Sequence, residues 1–372
     1  MSTSKHQKIA DELRFAIASG RYAEGDRLPT EAQLVEQYAT SRPTVARALR
    51  DLQQEGLIYR RAGSGTYVRK PESEPGLLFG LLIPSLGETE IFEPICREMA
   101  RSSQSAHHAL LWPSSTPGSE NPSEEAWQAC QQFIARKVAG VFFAPLELTP
   151  SGQGTNEHIL SALDAARIPV VLLDRDLYPF PRRSRYDRVG IDNRAAGYIV
   201  TDHLLQHGCQ RIGFFSRPLS AETVAARLAG FREALNQHGI RPQSTWTVEG
   251  DPTDPAFVRH FLDTSGVEAI VCANDLTAAQ LMRSLEVLGI TVPRDVRLVG
   301  VDDVKYASML RVPLTTMRQP CAQIGAAAMR ALTERVASPD LPPRDILFQC
   351  DLVVRDSCGT KSPGVHSAPA GN

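Results

Sequence analysis

The chain has 372 residues, 42% hydrophobic and 22% charged, with a net charge of −2. That composition excludes a chain kept disordered by low hydrophobicity and high charge, and the length fits two or three domains at roughly 100–200 residues each. No apolar run approaches the ~18 residues of a membrane span, and MSTSKHQKIADELRF lacks a signal-peptide core, so a cytoplasmic location is expected.

Residues 1–70 read as a small head of three helices and a hairpin. Ile9, Leu13, Ala16 and Ile17 form one apolar helical stripe, which Gly20 is expected to terminate. Thr30 opens TEAQLVEQY with Gln33 three residues on, a capping-box pattern. Ser41 opens SRPTVARALRDLQQEG. Pro43 is tolerated there because first-turn amides lack helical partners. Val45, Ala48, Leu49 and Leu52 make the buried stripe. LIYRR, the turn AGSG and TYVRK then read as a two-stranded hairpin. The head holds twelve Lys or Arg against eight Asp or Glu, a net +4, and the remainder carries −6. This asymmetry points a polyanion toward the head.

PESEPG (71–76) is a Pro/Glu linker and the clearest domain boundary. Over 77–358, LLFGLLIP, VAGVFFAP, IPVVLLD, RVGID, RIGFF, AIVCA and VRLVGVD read as strands. Amphipathic segments such as AAGYIVTDHLLQHG alternate with them. Near-continuous apolar strands between helices indicate an α/β body of parallel sheets covered on both faces. Residues 359–372 are expected to be a disordered tail. The seven cysteines (96, 130, 209, 272, 321, 350 and 358) are scattered, odd in number and never C-x-x-C. This argues against a disulfide framework or zinc knuckle.

Two short helices joined by a tight turn, with Arg at the start of the second, have helix-turn-helix spacing. Arg42, Thr44, Arg47 and Arg50 lie on the exposed face of the second helix. Arginine bonds phosphates or the guanine edge, and hydroxyls such as those of Thr30, Ser41 and Thr44 bond phosphates. The hairpin adds Arg60 and Arg61 beside Gly63 and Gly65, which permit close backbone approach. For Arg50 alone a solvated surface role is the better reading; the whole constellation points to DNA.

The stretch from IADELRF to GSGTYV resembles the winged helix-turn-helix of GntR-family regulators, through GDRLPTE, SRPTV, AL-x-x-L-x-x-EGLI and GSGTYV. The resemblance implies DNA contacts from Arg42 and Thr44, with Gly65 at the wing tip. Two positions depart from the family: Ala32 and Ala46 stand where members often carry arginine, and Arg47 projects about 100° away from Ala46. A changed operator preference or weaker phosphate anchoring follows.

The body resembles the LacI/GalR effector domain, itself similar to periplasmic sugar-binding proteins, through FGLLIPSL, IPVVLLDRDL, VGIDNRAAGYIVTDHLLQHGCQRIGFF, AIVCANDLTAAQLMRSLEVLGI, VRLVGVDD and PLTTMRQPCAQIGAAAM. The composite resembles the bacterial arabinose-repressor architecture. It implies two Rossmann-like lobes, the first about 77–189 and 316–340, the second about 190–315 and 341–358, with crossovers near 189, 315 and 340. By motif, Asp174, Arg227, Asn274 and Asp302 match the ligand contacts of that family. Arg175 and Gln319 match further contacts, and Phe92 stands where an aromatic often packs on the ligand. Each of Asp174, Asn274 and Asp302 is a polar residue just past an apolar strand, where ligands of parallel sheets bind. Taken alone, Asp174 or Asp302 reads equally as a helix cap or loop carboxylate. Asp275 and Asp303 read as structural.

His203 and His207 have i, i+4 spacing but no third ligand, and read as surface. Arg182, Arg183, Arg185 and Arg188 read as a solvated basic loop. No catalytic motif and no cofactor or metal site is indicated, and an enzyme is not expected. The sequence therefore points to a homodimeric, effector-controlled transcription factor, in the first instance a repressor, binding double-stranded operator DNA and a small polar effector such as a monosaccharide. The alternative is a sugar-binding or sugar-modifying protein without a DNA role.

Overall fold

In a computed structural model of the protein, the described residues are 5–18, 21–23, 25–61, 64–69, 76–84, 91–113 and 121–360. Contacts divide the chain into two units, Met1–Gly76 and Leu77–Asn372. Gly20, Gly63, Lys70 and most of the linker, 71–75, lie outside the described residues.

The first unit contains α1 (Lys5–Ala18), α2 (Glu31–Gln37), α3 (Arg42–Gln54), β1 (Ile58–Arg61) and β2 (Gly65–Val68). Ile9 and Leu13 of α1 pack with Val45, Ala48, Leu49 and Leu52 of α3 in one buried cluster. The expected capping box forms: the Gln33 amide donates to the Thr30 hydroxyl at 3.3 Å, and the Thr30 amide donates to the Gln33 side chain at 2.8 Å. β1 and β2 pair antiparallel, Ile58 opposite Val68. The GDRLP stretch joins this wing, a contact the sequence does not announce. Leu28 donates to Thr66 at 2.9 Å, and Val68 donates to Asp26 at 2.9 Å.

In the second unit, one sheet is built from β3 (Leu78–Leu82), β4 (Ala109–Leu111), β5 (Gly140–Phe143), β6 (Val170–Leu173), β7 (Asp187–Ile191) and a late strand, Asp345–Phe348. The helices α4 (Phe92–Ser105), α5 (Pro122–Ala135) and α6 (Gly152–Ala165) connect its strands. The chain then enters α7 (Asn193–Gln206), β8 (Ile212–Ser216), α8 (Glu222–Gln237), β9 (Thr247–Glu249), α9 (Pro255–Ser265), β10 (Ala269–Cys272), α10 (Asp275–Val287), β11 (Arg297–Asp302) and β12 (Thr315–Arg318). It returns through α11 (Cys321–Ala337) to β13, the strand Asp345–Phe348, and ends at β14 (Asp351–Val353). The sheet orders are β13-β7-β6-β5-β3-β4 and β14-β12-β11-β10-β8-β9. Every pairing is parallel except β12 with β14.

All seven apolar runs are strands. β5, β6, β8 and β10 are buried at every residue, which is why they read as continuous runs rather than alternating ones. The lobe boundaries need correction. β13 lies in the first sheet, although 341–358 was assigned to the second lobe, and β12 lies in the second sheet, although 316–340 was assigned to the first. The crossovers fall at 191–193, 318–321 and 348–351 rather than near 189, 315 and 340. The causes are local: TTMR carries no apolar run, yet Thr315 and Thr316 are fully buried, their hydroxyls bonded to the Arg355 carbonyl and to Asp275, and the apolar run of DILF is three residues long and not fully buried. Of the tail 359–372, Gly359 and Thr360 belong to the closing turn and 361–372 lie outside the described residues.

Candidate functional site

The carboxyl ends of the two sheets converge on one cleft. Its second-lobe wall starts from the packing of α7 on α8. A Cβ at Gly197 would strike the carbonyl of Arg227, and one at Gly230 that of Arg194, so the two helices meet backbone to backbone. This closeness lets Arg227 reach across: Nε donates to Asn193 Oδ1 at 2.8 Å, Nη1 donates to the Ala273 carbonyl at 2.6 Å, and Nη2 lies 3.7 Å from Asp302 Oδ1. Gln319, in the second crossover, donates to the same Asp302 oxygen at 2.7 Å. Asn274 caps α10, its Oδ1 accepting from the Thr277 amide at 2.9 Å, so its amide nitrogen is the group left for other work.

The first-lobe wall centres on Arg175. Its guanidinium pairs with Glu147, stacks 5.8 Å over the buried Phe92 ring and lies 3.6 Å from Asp174 Oδ2. Asp174 Oδ1 and Arg175 Nε are buried without a hydrogen-bond partner, a costly state that a polar occupant of the cleft would relieve. Asp174 and Asp302 both hold positive φ, +69° and +130°. Such backbone strain collects at ligand clamps and active sites.

The electrostatics follow burial. Desolvation raises the Asp302 carboxyl to about 7, against the opposing pull of Arg227, and raises Asp174 in the same way. Burial also pushes Glu147 upward, but the Arg175 charge outweighs it and holds Glu147 below the usual range. Asp275, raised by burial to about 6, bonds Thr316 and the Val304 amide. Asp303 pairs with Arg318 and Arg355. Both therefore tie the second lobe together, as their structural reading holds.

Glu147, Asn193 and Glu222, which the sequence reading leaves out, also belong to this region, as does Arg188. Glu147 and Asn193 stand just past VFFAP and RVGID, so the rule that flagged Asp174 would have found them. Arg188 is not a solvated loop residue: it bridges Glu222 at 2.9 Å and Asp345 at 3.2 Å. His203 is not at the surface either. It is buried, its Nε2 3.4 Å from Cys358 Sγ. That contact, with the Thr315 and Thr360 hydroxyls, overcomes burial and brings the Cys358 thiol down to about 6. Among the described residues, no group of three His, Cys, Asp or Glu is placed to hold a metal, and no helix is long and apolar enough to cross a membrane.

On the first unit, Arg42, Arg47 and Arg61 are exposed. Glu31 ties together the recognition helix and the wing: its carboxylate lies 3.5 Å from Arg42 Nε and 3.0 Å from Arg60 Nη2. Ser41 and Thr44 share a hydroxyl–hydroxyl bond of 2.8 Å at the start of α3. Thr30 uses its side chain in the cap of α2. Gly65 has φ +134°, and the Arg27 guanidinium fills the space a Cβ would need. The backbone conformation, rather than the flexible Arg27 side chain, is what favours glycine here.

Residues 5–68 match the model of the bacterial regulatory proteins of the gntR family, and residues 201–358 match the periplasmic binding protein-like domain. The chain is 29% identical to the arabinose metabolism transcriptional repressor of Geobacillus stearothermophilus over 95% of this chain and 97% of that protein. Its fold is similar to the transcription regulator CcpA of Lactococcus lactis, with a TM-score of 0.65 at 22% identity, covering 76% of this chain and 99% of that one. It is also similar to the transcriptional regulator CelR in its cellobiose complex, with a TM-score of 0.64 at 24% identity, over 86% and 91% of the two chains.

Proposed function

We propose that this chain, whose head matches the gntR family of bacterial regulatory proteins and whose body matches the periplasmic binding protein-like domain, is a ligand-responsive transcriptional repressor. The head binds operator DNA through Arg42, Thr44 and Arg47 of α3 and through Arg60, Arg61 and the wing. The body takes a small neutral polyol, in the first instance a monosaccharide, between Asp174, Arg175 and Phe92 on one lobe and Arg227, Asn274 and Asp302 on the other. The observation that carries the effector reading is the pair of unpartnered buried atoms, Asp174 Oδ1 and Arg175 Nε, facing an Arg–Asp pair on the opposite wall. One acceptor and one donor fixed a short distance apart suit hydroxyl groups, which both donate and accept. The protein acts as a homodimer that places two heads on two half-sites, and effector binding shifts the lobes and with them the operator affinity. The regulators among its relatives support a non-enzymatic role.

Two measurements on the full chain test this. Selection from random duplex DNA should enrich a pseudo-palindromic sequence whose affinity falls steeply with salt, because phosphate neutralisation releases counterions. A thermal-shift panel of arabinose, ribose and cellobiose should contain a stabilising ligand, with about 2.7 kcal/mol gained at 100 times its Kd. Failure to enrich any sequence sinks the DNA role. Turnover of a bound sugar would replace the regulator with an enzyme.

A further inference from the structure

At the rim of the cleft two leucines hold left-handed backbone: Leu148, between β5 and α6, has φ +56°, and Leu219, between β8 and α8, has φ +60°. An L side chain there crowds the following carbonyl, so the conformation persists only where its surroundings over-determine it. The two residues belong to different lobes and meet: the Leu148 amide donates to the Leu219 carbonyl at 2.8 Å. Around them the second lobe grips the first twice more. Glu147 Oε2 accepts from the Ala221 amide at 3.1 Å. Glu222 Oε1 accepts from the Asp176 amide at 3.1 Å and from Arg188 Nη1 at 2.9 Å. These bonds run from lobe to lobe and use no atom of Asp174, Arg227, Asn274 or Asp302.

We propose that residues 219–222 of the second lobe, with Glu147 and Leu148 of the first, form a clasp that sets effector affinity by setting how much of the protein is closed before the effector arrives. Two terms oppose each other. The clasp favours the closed cleft. Closure also buries Asp174 Oδ1 and Arg175 Nε without partners, which favours the open one. An effector that partners those atoms removes the second term and inherits the first. Its apparent affinity therefore scales with the closed fraction of the free protein. Leu148, Leu219 and Glu222 are thus positioning residues, acting on the effector only through closure. The affinity consequence rests on the cleft being the effector site; the clasp itself is testable without any effector.

The first test uses the full chain carrying Leu148→Cys and Leu219→Cys, treated with copper–phenanthroline, with the wild-type chain and its seven native cysteines as the control. The variant should form an intramolecular disulfide absent from wild type, and adding Glu222→Ala should slow its formation by about tenfold as the closed fraction falls. No crosslink, or a rate indifferent to Glu222→Ala, overturns the clasp. The second test keeps the native cysteines and titrates arabinose by calorimetry. Glu222→Ala should weaken binding by about tenfold. Leu219→Gly adopts the left-handed backbone without strain, and should tighten binding severalfold. Damage to the fold cannot produce that opposite sign. Both variants moving affinity in one direction, or neither moving it, refutes the affinity role. If the wild-type chain does not bind arabinose, that failure falls on the choice of effector, and the crosslinking rate alone decides.

Discussion

Arg42 on the head leaves 79% of its side chain in water, beside a Glu31 carboxylate it shares with Arg60. Arg227 in the cleft leaves 5%, with two hydrogen bonds to the protein and a carboxylate 3.7 Å away. The same side chain is proposed for two kinds of recognition. An exposed guanidinium is cheap to hold, screened by salt and free to follow a phosphate backbone. A buried one is expensive unless every neighbour is in place, and that rigidity discriminates among small neutral ligands. Substitutions in the cleft should therefore change stability and ligand affinity together, whereas those on the head should change affinity alone.

The sharpest test of that contrast is Arg175. Replacing it with Ala removes the cation that pairs with the partly buried Glu147 and lies 3.6 Å from the buried Asp174. Unpairing a buried charge costs about 3–5 kcal/mol. The denaturant midpoint should fall accordingly with an unchanged slope, and effector binding should fail. A variant as stable as wild type would show that the cleft is wetter than its geometry implies.

Asp302 follows in size. Asp302→Ala should weaken effector binding by about 1.5–3 kcal/mol, the range for hydrogen bonds to a charged group, and leave effector-free operator affinity unchanged. Its titration adds a pH signature. Burial raises the carboxyl to about 7, so the empty cleft favours the protonated acid. That preference stabilises the free protein at low pH and is lost as pH rises through about 7. An effector hydroxyl donates to the ionised form, so affinity should rise by about tenfold between pH 6 and 8. Asp302→Asn should flatten the profile. A profile that falls over this range would remove Asp302 as the acceptor.

On the head, Arg42→Ala should cost about 1–3 kcal/mol of operator discrimination, the value of one good base contact. The melting temperature and effector affinity should not move. Gel shift and calorimetry on one preparation separate the two effects. Retention of wild-type operator affinity would take Arg42 out of the interface.

How much of this was legible in the sequence divides along the same line. The head was readable almost throughout, because its signals are local: a capping box at Thr30 and Gln33, a proline in the first turn of α3, and an apolar stripe at helical spacing. What escaped was the pairing of GDRLP with the wing, where Asp26 and Leu28 bond strand residues some forty positions away. In the body, the continuous apolar strands were plain. The strands β12 and β13 were not: in β12, buried threonines satisfied by Asp275 and the Arg355 carbonyl look like loop residues, and β13 offers only three apolar residues that are not fully buried. Asp174 and Asp302 were reachable through their place after apolar strands and through family resemblance, Arg227 through the resemblance alone. Glu147 stands just past an apolar strand and was reachable by the same rule, whereas Glu222 and Arg188 owe their roles to a contact between lobes, which no local pattern encodes.

The smallest expected effect sharpens the comparison from the head's side. Glu31 lies within 3.5 Å of Arg42 and 3.0 Å of Arg60, so under the proposed DNA-binding role it would compete with phosphates for both. In the buried cleft, neutralising a carboxylate so placed would strand its partner. On the exposed head, water takes over, and surface pairs of this kind contribute about 0–1 kcal/mol. Glu31→Gln should therefore leave the melting temperature within error. It should also strengthen binding to random duplex DNA by less than about 1 kcal/mol, because it frees two cations and removes a negative charge from a polyanion-binding face. The gain should shrink as salt rises. A stability loss above about 1 kcal/mol would mean that Glu31 clamps the wing to the recognition helix structurally. The contrast between a soft head and a rigid cleft would then have to be redrawn.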